Sequence, residues 1–157
     1  MTRKRIAATT LAIAVLVTLG AHAGPVEDLA GYWSGSGSVV LSNGKTERVK
    51  CSVSYKAGEA AGQIKQNMRC ASADYNINAS ASFNVKGQTV TGSWEEKTYS
   101  AVGEVTGRVN GGNYTLAIKG VNFSASMNVT LTDCKQQISI VPQGLDVSRI
   151  SIGLAKC

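Results

Sequence analysis

Apolar and polar residues alternate strictly along most of this chain, and that alternation most constrains what it can fold into. Tyr75, Ile77, Ala79, Ala81, Phe83 and Val85 alternate with Asp74, Asn76, Asn78, Ser80, Ser82 and Asn84. Val121, Phe123, Ala125, Met127, Val129 and Leu131 alternate with a wet set of Asn, Ser and Thr. Val49, Cys51, Val53 and Tyr55 alternate with Arg48, Lys50, Ser52 and Ser54. A period of two gives each strand one apolar face and one wet face, the mark of antiparallel sheets. No stretch of the chain carries a convincing helical stripe. The pattern predicts strands near 32–41, 46–55, 63–70, 74–85, 88–95, 99–109, 113–119, 121–132, 136–141 and 147–154. The expected fold is all-β: an antiparallel meander of eight to ten strands closed into a barrel, with a β-sandwich as the alternative. Closure removes the free edges that invite aggregation.

Short turns set the expected register. Lys86-Gly87 would place Phe83 opposite Val90, Ala81 opposite Gly92 and Ala79 opposite Trp94. The loop Glu95-Glu96-Lys97-Thr98 would place Trp94 opposite Tyr99. Asn110-Gly111-Gly112-Asn113 would pair Val109 with Tyr114 and Val105 with Ile118. A turn near Asn43-Gly44 would pair Val39 with Val49 and Trp33 with Tyr55. A hairpin centred near Ala60-Ala61 would bring Tyr55 to Gln66, Val53 to Met68 and Cys51 to Cys70. Four cysteines allow three pairings, and this register selects Cys51–Cys70 and Cys134–Cys157. A zinc site would want C-x-x-C or histidine ligands, and the spacing offers neither. No metal and no cofactor are expected.

Residues 1–23 read as a secretory signal peptide: a basic start at Arg3, Lys4 and Arg5, an apolar run from Ile6 to Leu19, and Ala21-His22-Ala23 as a cleavage site. The remainder, 24–157, is expected to be a single barrel domain, secreted and of bacterial periplasmic type. Removing the leader removes the chain's one histidine, His22. It also leaves 13 of the 16 Lys and Arg residues against 10 Asp and Glu, a charge of only +3. That mild excess is weak ground for a nucleic-acid partner. With no histidine and no catalytic motif, the expectation is a binding protein and not an enzyme, with no catalytic residues.

The opening Asp28-Leu29-Ala30-Gly31-Tyr32-Trp33 contains a Gly-x-Trp that resembles the calycins, the lipocalins, avidins and related small barrels. It is also similar to the small periplasmic barrels that inhibit bacterial metalloproteases, which begin with a comparable Leu-x-Gly-x-Trp and carry a disulfide. The calycin likeness implies a small-ligand carrier, with the tryptophan packed at the barrel floor. The inhibitor likeness implies an envelope or secreted protein partner and a free arm, here Gly24-Pro25-Val26-Glu27, inserted into its active site.

The expected interior is rich in small residues: Gly35, Gly37, Ala79, Ala81, Gly92, Ala101, Gly103, Gly107 and Ala125. They either leave a ligand cavity walled by Trp33, Tyr55, Phe83, Trp94 and Tyr99, or make room for bulky neighbours, as Ala79 would for Trp94. Small barrels fill themselves with side chains, so packing is the default expectation. On the wet face of one hairpin, Arg48, Lys50 and Arg69 stand with Lys56 and Lys65. Like charges placed together cost stability. That face is therefore either a solvated, edge-protecting surface or an anion-binding one for acidic lipid or glycan. It lacks the interleaved aromatics that single-stranded nucleic acid would need. Glu95 and Glu96 are expected in a solvated turn. An outer-membrane barrel would show the same alternation with its apolar face outward. Here that face would offer lipid mostly alanine and glycine, so a membrane-integral barrel is not expected.

Overall fold

A computed structural model describes residues 24–157; residues 1–23, read from the sequence as a signal peptide, lie outside them. A short helix, α1 (Pro25–Leu29), precedes ten strands: β1 (Gly31–Leu41), β2 (Thr46–Ala57), β3 (Gln63–Ala71), β4 (Asn76–Lys86), β5 (Thr89–Glu96), β6 (Ala101–Asn110), β7 (Asn113–Gly120), β8 (Ser124–Thr132), β9 (Lys135–Gln143) and β10 (Val147–Ala155). Each strand pairs antiparallel with its sequence neighbours, and β10 returns to β1, so the meander is a closed barrel and not a sandwich. The alternating apolar faces point inward, with Trp33, Val53, Ile64, Val90, Val109 and Leu154 buried. That orientation is opposite to the one a lipid-facing barrel needs.

Two of the hairpin registers match expectation. Cys51 faces Cys70 and Tyr55 faces Gln66 across β2–β3, and Val109 faces Tyr114 across β6–β7. Both disulfides form as the register selects, Cys51–Cys70 and Cys134–Cys157. The Cys51 and Cys70 Cα atoms are 4.1 Å apart, the close approach of a non-hydrogen-bonded antiparallel pair.

Three other registers differ from expectation, each by an even number of residues. Trp33 faces Val53 rather than Tyr55, and Val39 faces Glu47 rather than Val49. The loop here is tight: the Asn43 Oδ1 accepts the Lys45 N–H at 2.9 Å, and Gly44 has φ +85°. In β4–β5 the turn is Gly87-Gln88, with Gly87 at φ +57° as a primed two-residue hairpin requires. Phe83 consequently faces Gly92, Ala81 faces Trp94 and Ala79 faces Glu96. In β5–β6 the loop starts after Glu96, so Trp94 faces Gly103 and not Tyr99. An even shift keeps paired side chains on their own face, which is why the inside–outside assignment survives within the strands; Glu96 and Tyr99, where β5 extends and the loop moves, are the exceptions.

The two ends of the barrel differ. At one end α1 lies beneath the strands, with Leu29 buried and Val26 packed against the core. The Trp33 indole N–H donates to the Leu29 carbonyl at 2.8 Å. Lys156 Nζ donates to the Asp28 carbonyl at 2.7 Å and stands 4.8 Å over the Trp33 ring. Residues 25–29 are thus folded onto the barrel, where the inhibitor likeness implies a free arm. The opposite end is formed by the loops β1–β2, β3–β4, β5–β6, β7–β8 and β9–β10.

Candidate functional site: an apolar cavity inside the barrel

The strands enclose a cavity of about 290 Å³ whose lining is almost wholly apolar. It corrects the expectation of a packed interior, and the small residues explain it by dividing into two groups. Ala79, Ala81 and Ala125 line the space and leave it empty. The glycines serve strand packing instead. A Cβ on Gly103 would collide with the Lys119 carbonyl oxygen and stand 2.8 Å from Trp94 Cζ2, so Gly103 is what lets Trp94 lie flat against β6. Trp94 then packs against Phe123, with ring centroids 5.5 Å apart. Ala79 makes no room for Trp94, because Ala81 and Gly103 are the residues opposite it.

Of the aromatic residues read as walls, the structure brings Tyr55, Phe83 and Trp94 together around the cavity. Trp33 is fully buried below it, holding α1, and Tyr99 is 61% exposed in the β5–β6 loop. The other exposed large hydrophobics in loops, Tyr75, Val121 and Leu145, also belong to the end opposite α1. Leu145 contributes to the cavity lining, so this end is the mouth.

Polar groups gather at the closed end. Gln66 and Gln136 both donate their side-chain amides to the Tyr55 hydroxyl oxygen, each at 3.1 Å. Gln136 is 1% exposed, and its Oε1 has no hydrogen-bond partner among the described residues. Burial pushes the Tyr55 hydroxyl above its ordinary pKa against the opposing pull of the two amides, and burial likewise raises Tyr114. Both phenols are neutral at physiological pH. At the other end, Trp94 Nε1 is also buried, with no hydrogen-bond partner among the described residues. The in-phase glutamines were readable in the sequence: Gln66 falls in step with Ile64 and Met68, and Gln136 with Ile138 and Ile140.

Glu96 corrects the reading of a solvated turn. It is buried at the mouth, where its carboxylate accepts the backbone N–H groups of Asn78 at 2.7 Å, Tyr99 at 2.7 Å and Thr98 at 3.1 Å. Burial pushes this carboxyl up, but the three N–H groups outweigh it and hold it below the usual range. A depressed carboxyl stabilises the fold above its unfolded-state pKa, and that stability is lost as pH falls through the folded-state value. Glu96→Gln is therefore expected to lower the melting temperature at pH 7 and to flatten its fall below pH 5. Parallel melting curves for the variant and the parent across pH 3–7 would count against the clamp.

The basic residues lie elsewhere. Arg48, Lys50 and Arg69 point outward from β2 and β3, and Lys56 faces Lys65. Lys50 and Arg69 border a shallow outer groove with Tyr32, Asn76, Asn78 and Thr98. Among the described residues no group of His, Cys, Asp and Glu could hold a metal, and no helix is long and apolar enough to cross a membrane.

No family model matches the chain, and no curated protein matches it by sequence. Among solved structures, the barrel is similar to the S-type phycobiliprotein lyase CPES of Guillardia theta, with a TM-score of 0.62 at 14% identity. The match covers 84% of this chain and 90% of the lyase. At that identity the likeness is one of fold. It overturns the expectation that the protein is not an enzyme: a barrel of this shape serves a lyase, so the lack of a histidine in residues 24–157 and of a recognised motif excludes no chemistry here. The chain is a calycin-like, ten-stranded, disulfide-bonded barrel.

Proposed function

We propose that this barrel holds a small, uncharged, mainly apolar molecule, admitted through the end opposite α1. The observation that carries the reading is the cavity: about 290 Å³, apolar, and backed by a plugged floor. An apolar cavity of ~150 Å³ already takes up benzene, and ligand pockets begin near ~300 Å³, so a molecule of about two rings suits this one. The lining contains no lysine, arginine or histidine, and its one carboxylate, Glu96, is committed to the backbone. A carboxylate or phosphate head group would therefore enter without a counter-charge. The two disulfides and the leader-like start of the chain support a secreted, periplasmic setting.

Calorimetric titration of the 24–157 protein with naphthalene tests the reading. Saturable binding is expected. Replacing Ala81 and Ala125 by leucine fills the cavity, and should weaken binding at least tenfold while leaving stability within about 1 kcal/mol. Undiminished binding in a filled variant that still folds would place the site elsewhere.

A second reading rests on the outer groove, where no ion pair among the described residues reaches Lys50 or Arg69. Under it the protein also adheres to anionic glycan or lipid at the cell envelope. Changing Lys50 and Arg69 to glutamate is expected to abolish retention on heparin at low salt; unaltered retention would remove this reading.

A further inference from the structure

The outer groove is made by long side chains standing around short ones. Its register runs straight across four strands: Ser34 of β1 faces Ser52 of β2, Ser52 faces Arg69 of β3, and Arg69 faces Asn78 of β4. One step nearer the mouth, Lys50 faces Ala71 and Ala71 faces Asn76. Ser34, Ser52 and Ala71 give the groove its low floor, and Tyr32, two residues before Ser34, closes the side toward α1. Neighbouring strands stand about 4.8 Å apart, so the row spans roughly 14 Å, longer than a single sugar ring.

Uncompensated charge is the first feature that points to a ligand. Lys50 and Arg69 are diagonal neighbours, close enough for one anionic group to sit between them. β1 to β4 and their connections carry three acids, Glu47, Glu59 and Asp74. Glu59 lies in the β2–β3 loop at the α1 end. Glu47 and Asp74 lie toward the mouth, and Lys45 holds both, at 3.0 Å and 3.6 Å. Glu95 of β5 is tied to Lys97 at 3.8 Å and to the Ser80 hydroxyl at 2.8 Å. None of these carboxylates pairs with Lys50 or Arg69, so the two cations await an anion from outside. The second feature is Tyr32, which is 63% exposed. It faces Ser54 on the outer surface and takes no part in the core. The negative face of an exposed aromatic ring attracts the polarised C–H groups of a sugar ring. A membrane surface asks for several apolar side chains that enter the acyl boundary. Among the described residues that line the groove, Tyr32 is the only exposed large hydrophobic.

We infer that the outer groove binds an acidic oligosaccharide, with one sugar ring lying on Tyr32 and a carboxylate or sulfate held between Lys50 and Arg69. Ser52 and Asn78, which flank Arg69 in the same row, meet the sugar hydroxyls. This inference rests on the outer-groove reading and narrows it from anionic surfaces in general to glycans.

The test is calorimetric titration of the 24–157 protein at low salt with a heparin-derived hexasaccharide, a neutral dextran hexasaccharide and linear polyphosphate, beside sedimentation with phosphatidylglycerol vesicles. The acidic hexasaccharide and polyphosphate should both bind, and the neutral sugar at least tenfold more weakly. Tyr32→Ala should weaken the acidic hexasaccharide about tenfold and leave polyphosphate unchanged, because only the sugar uses the ring. Tyr32→Phe keeps the ring and should bind as the parent does. Lys50→Gln together with Arg69→Gln should weaken both polyanions. Should Tyr32→Ala melt early, Tyr32→Thr, a better strand former, takes its place. Failure of both polyanions to bind would remove the outer-groove reading itself. An acidic-hexasaccharide affinity that the Tyr32 variants leave unchanged would keep that reading and overturn this one, since the groove would then recognise charge alone. Vesicle binding that falls in Tyr32→Ala while hexasaccharide binding holds would overturn it in favour of a lipid surface.

Discussion

Trp33→Ala is expected to lower the unfolding free energy by about 3–5 kcal/mol, the range for deleting a large aromatic side chain from a core. Trp33 has no exposed surface, and it does three things at once. It fills the floor of the barrel, its indole N–H caps the Leu29 carbonyl, and its ring carries the Lys156 ammonium that holds α1 from the other side. Trp33→Phe keeps a ring and gives up the N–H, so the loss should shrink to about 1–2 kcal/mol. Urea unfolding measures both. Limited proteolysis adds a separate readout, because the alanine variant should be cut near residues 25–30 well before the barrel unfolds. A midpoint for Trp33→Ala equal to that of the parent would mean that the floor closes without it.

Replacing Cys51 and Cys70 together by alanine is expected to cost about 2–5 kcal/mol. The bond closes a loop of 19 residues and joins two buried positions that face each other across β2 and β3. Most of the effect arises in the unfolded chain, which regains the freedom the bond removes. The urea dependence should therefore steepen as the midpoint falls, since the unfolded state exposes more surface. An unchanged midpoint and slope would show that this bond neither constrains the unfolded chain nor supports the β2–β3 pairing. Because Cys70 lines the cavity, the double variant also tests whether binding tolerates a change in that wall.

Much of the fold was legible because its signals are local. The alternation of Ile77 to Val85 and of Ala125 to Leu131 gave strands and faces directly, and glycine turns such as Gly111-Gly112 marked hairpins. The pairing of Cys51 with Cys70 followed from one hairpin register. Where register was missed, at Asn43-Gly44, at Gly87-Gln88 and after Glu96, turn geometry decided it through backbone dihedrals and side-chain clamps that residue types alone do not specify.

The site was less legible, and the reason is cumulative. Whether Ala79, Ala81 and Ala125 leave a space depends on how wide the lumen is, and lumen width grows with the number of strands that close the ring. Ten strands enclose more than these side chains fill. Gln136 was visibly in phase with the apolar face, but its hydrogen bond to the Tyr55 hydroxyl forms only once β9 has been brought beside Tyr55 from a distance of 81 residues. Trp33 and Trp94 are alike in sequence terms, each an inward aromatic on an alternating strand. One became the floor and the other a wall because α1 folds under β1 while Gly103 lies opposite β5.

By itself, then, the sequence determined strands, inward faces and disulfide partners, since a period of two and a facing cysteine pair are properties of neighbouring residues. The tertiary structure alone decided the cavity and its plugged and open ends. Those depend on the summed volume and mutual placement of side chains from strands far apart in the chain, which closure of the ring brings to one space.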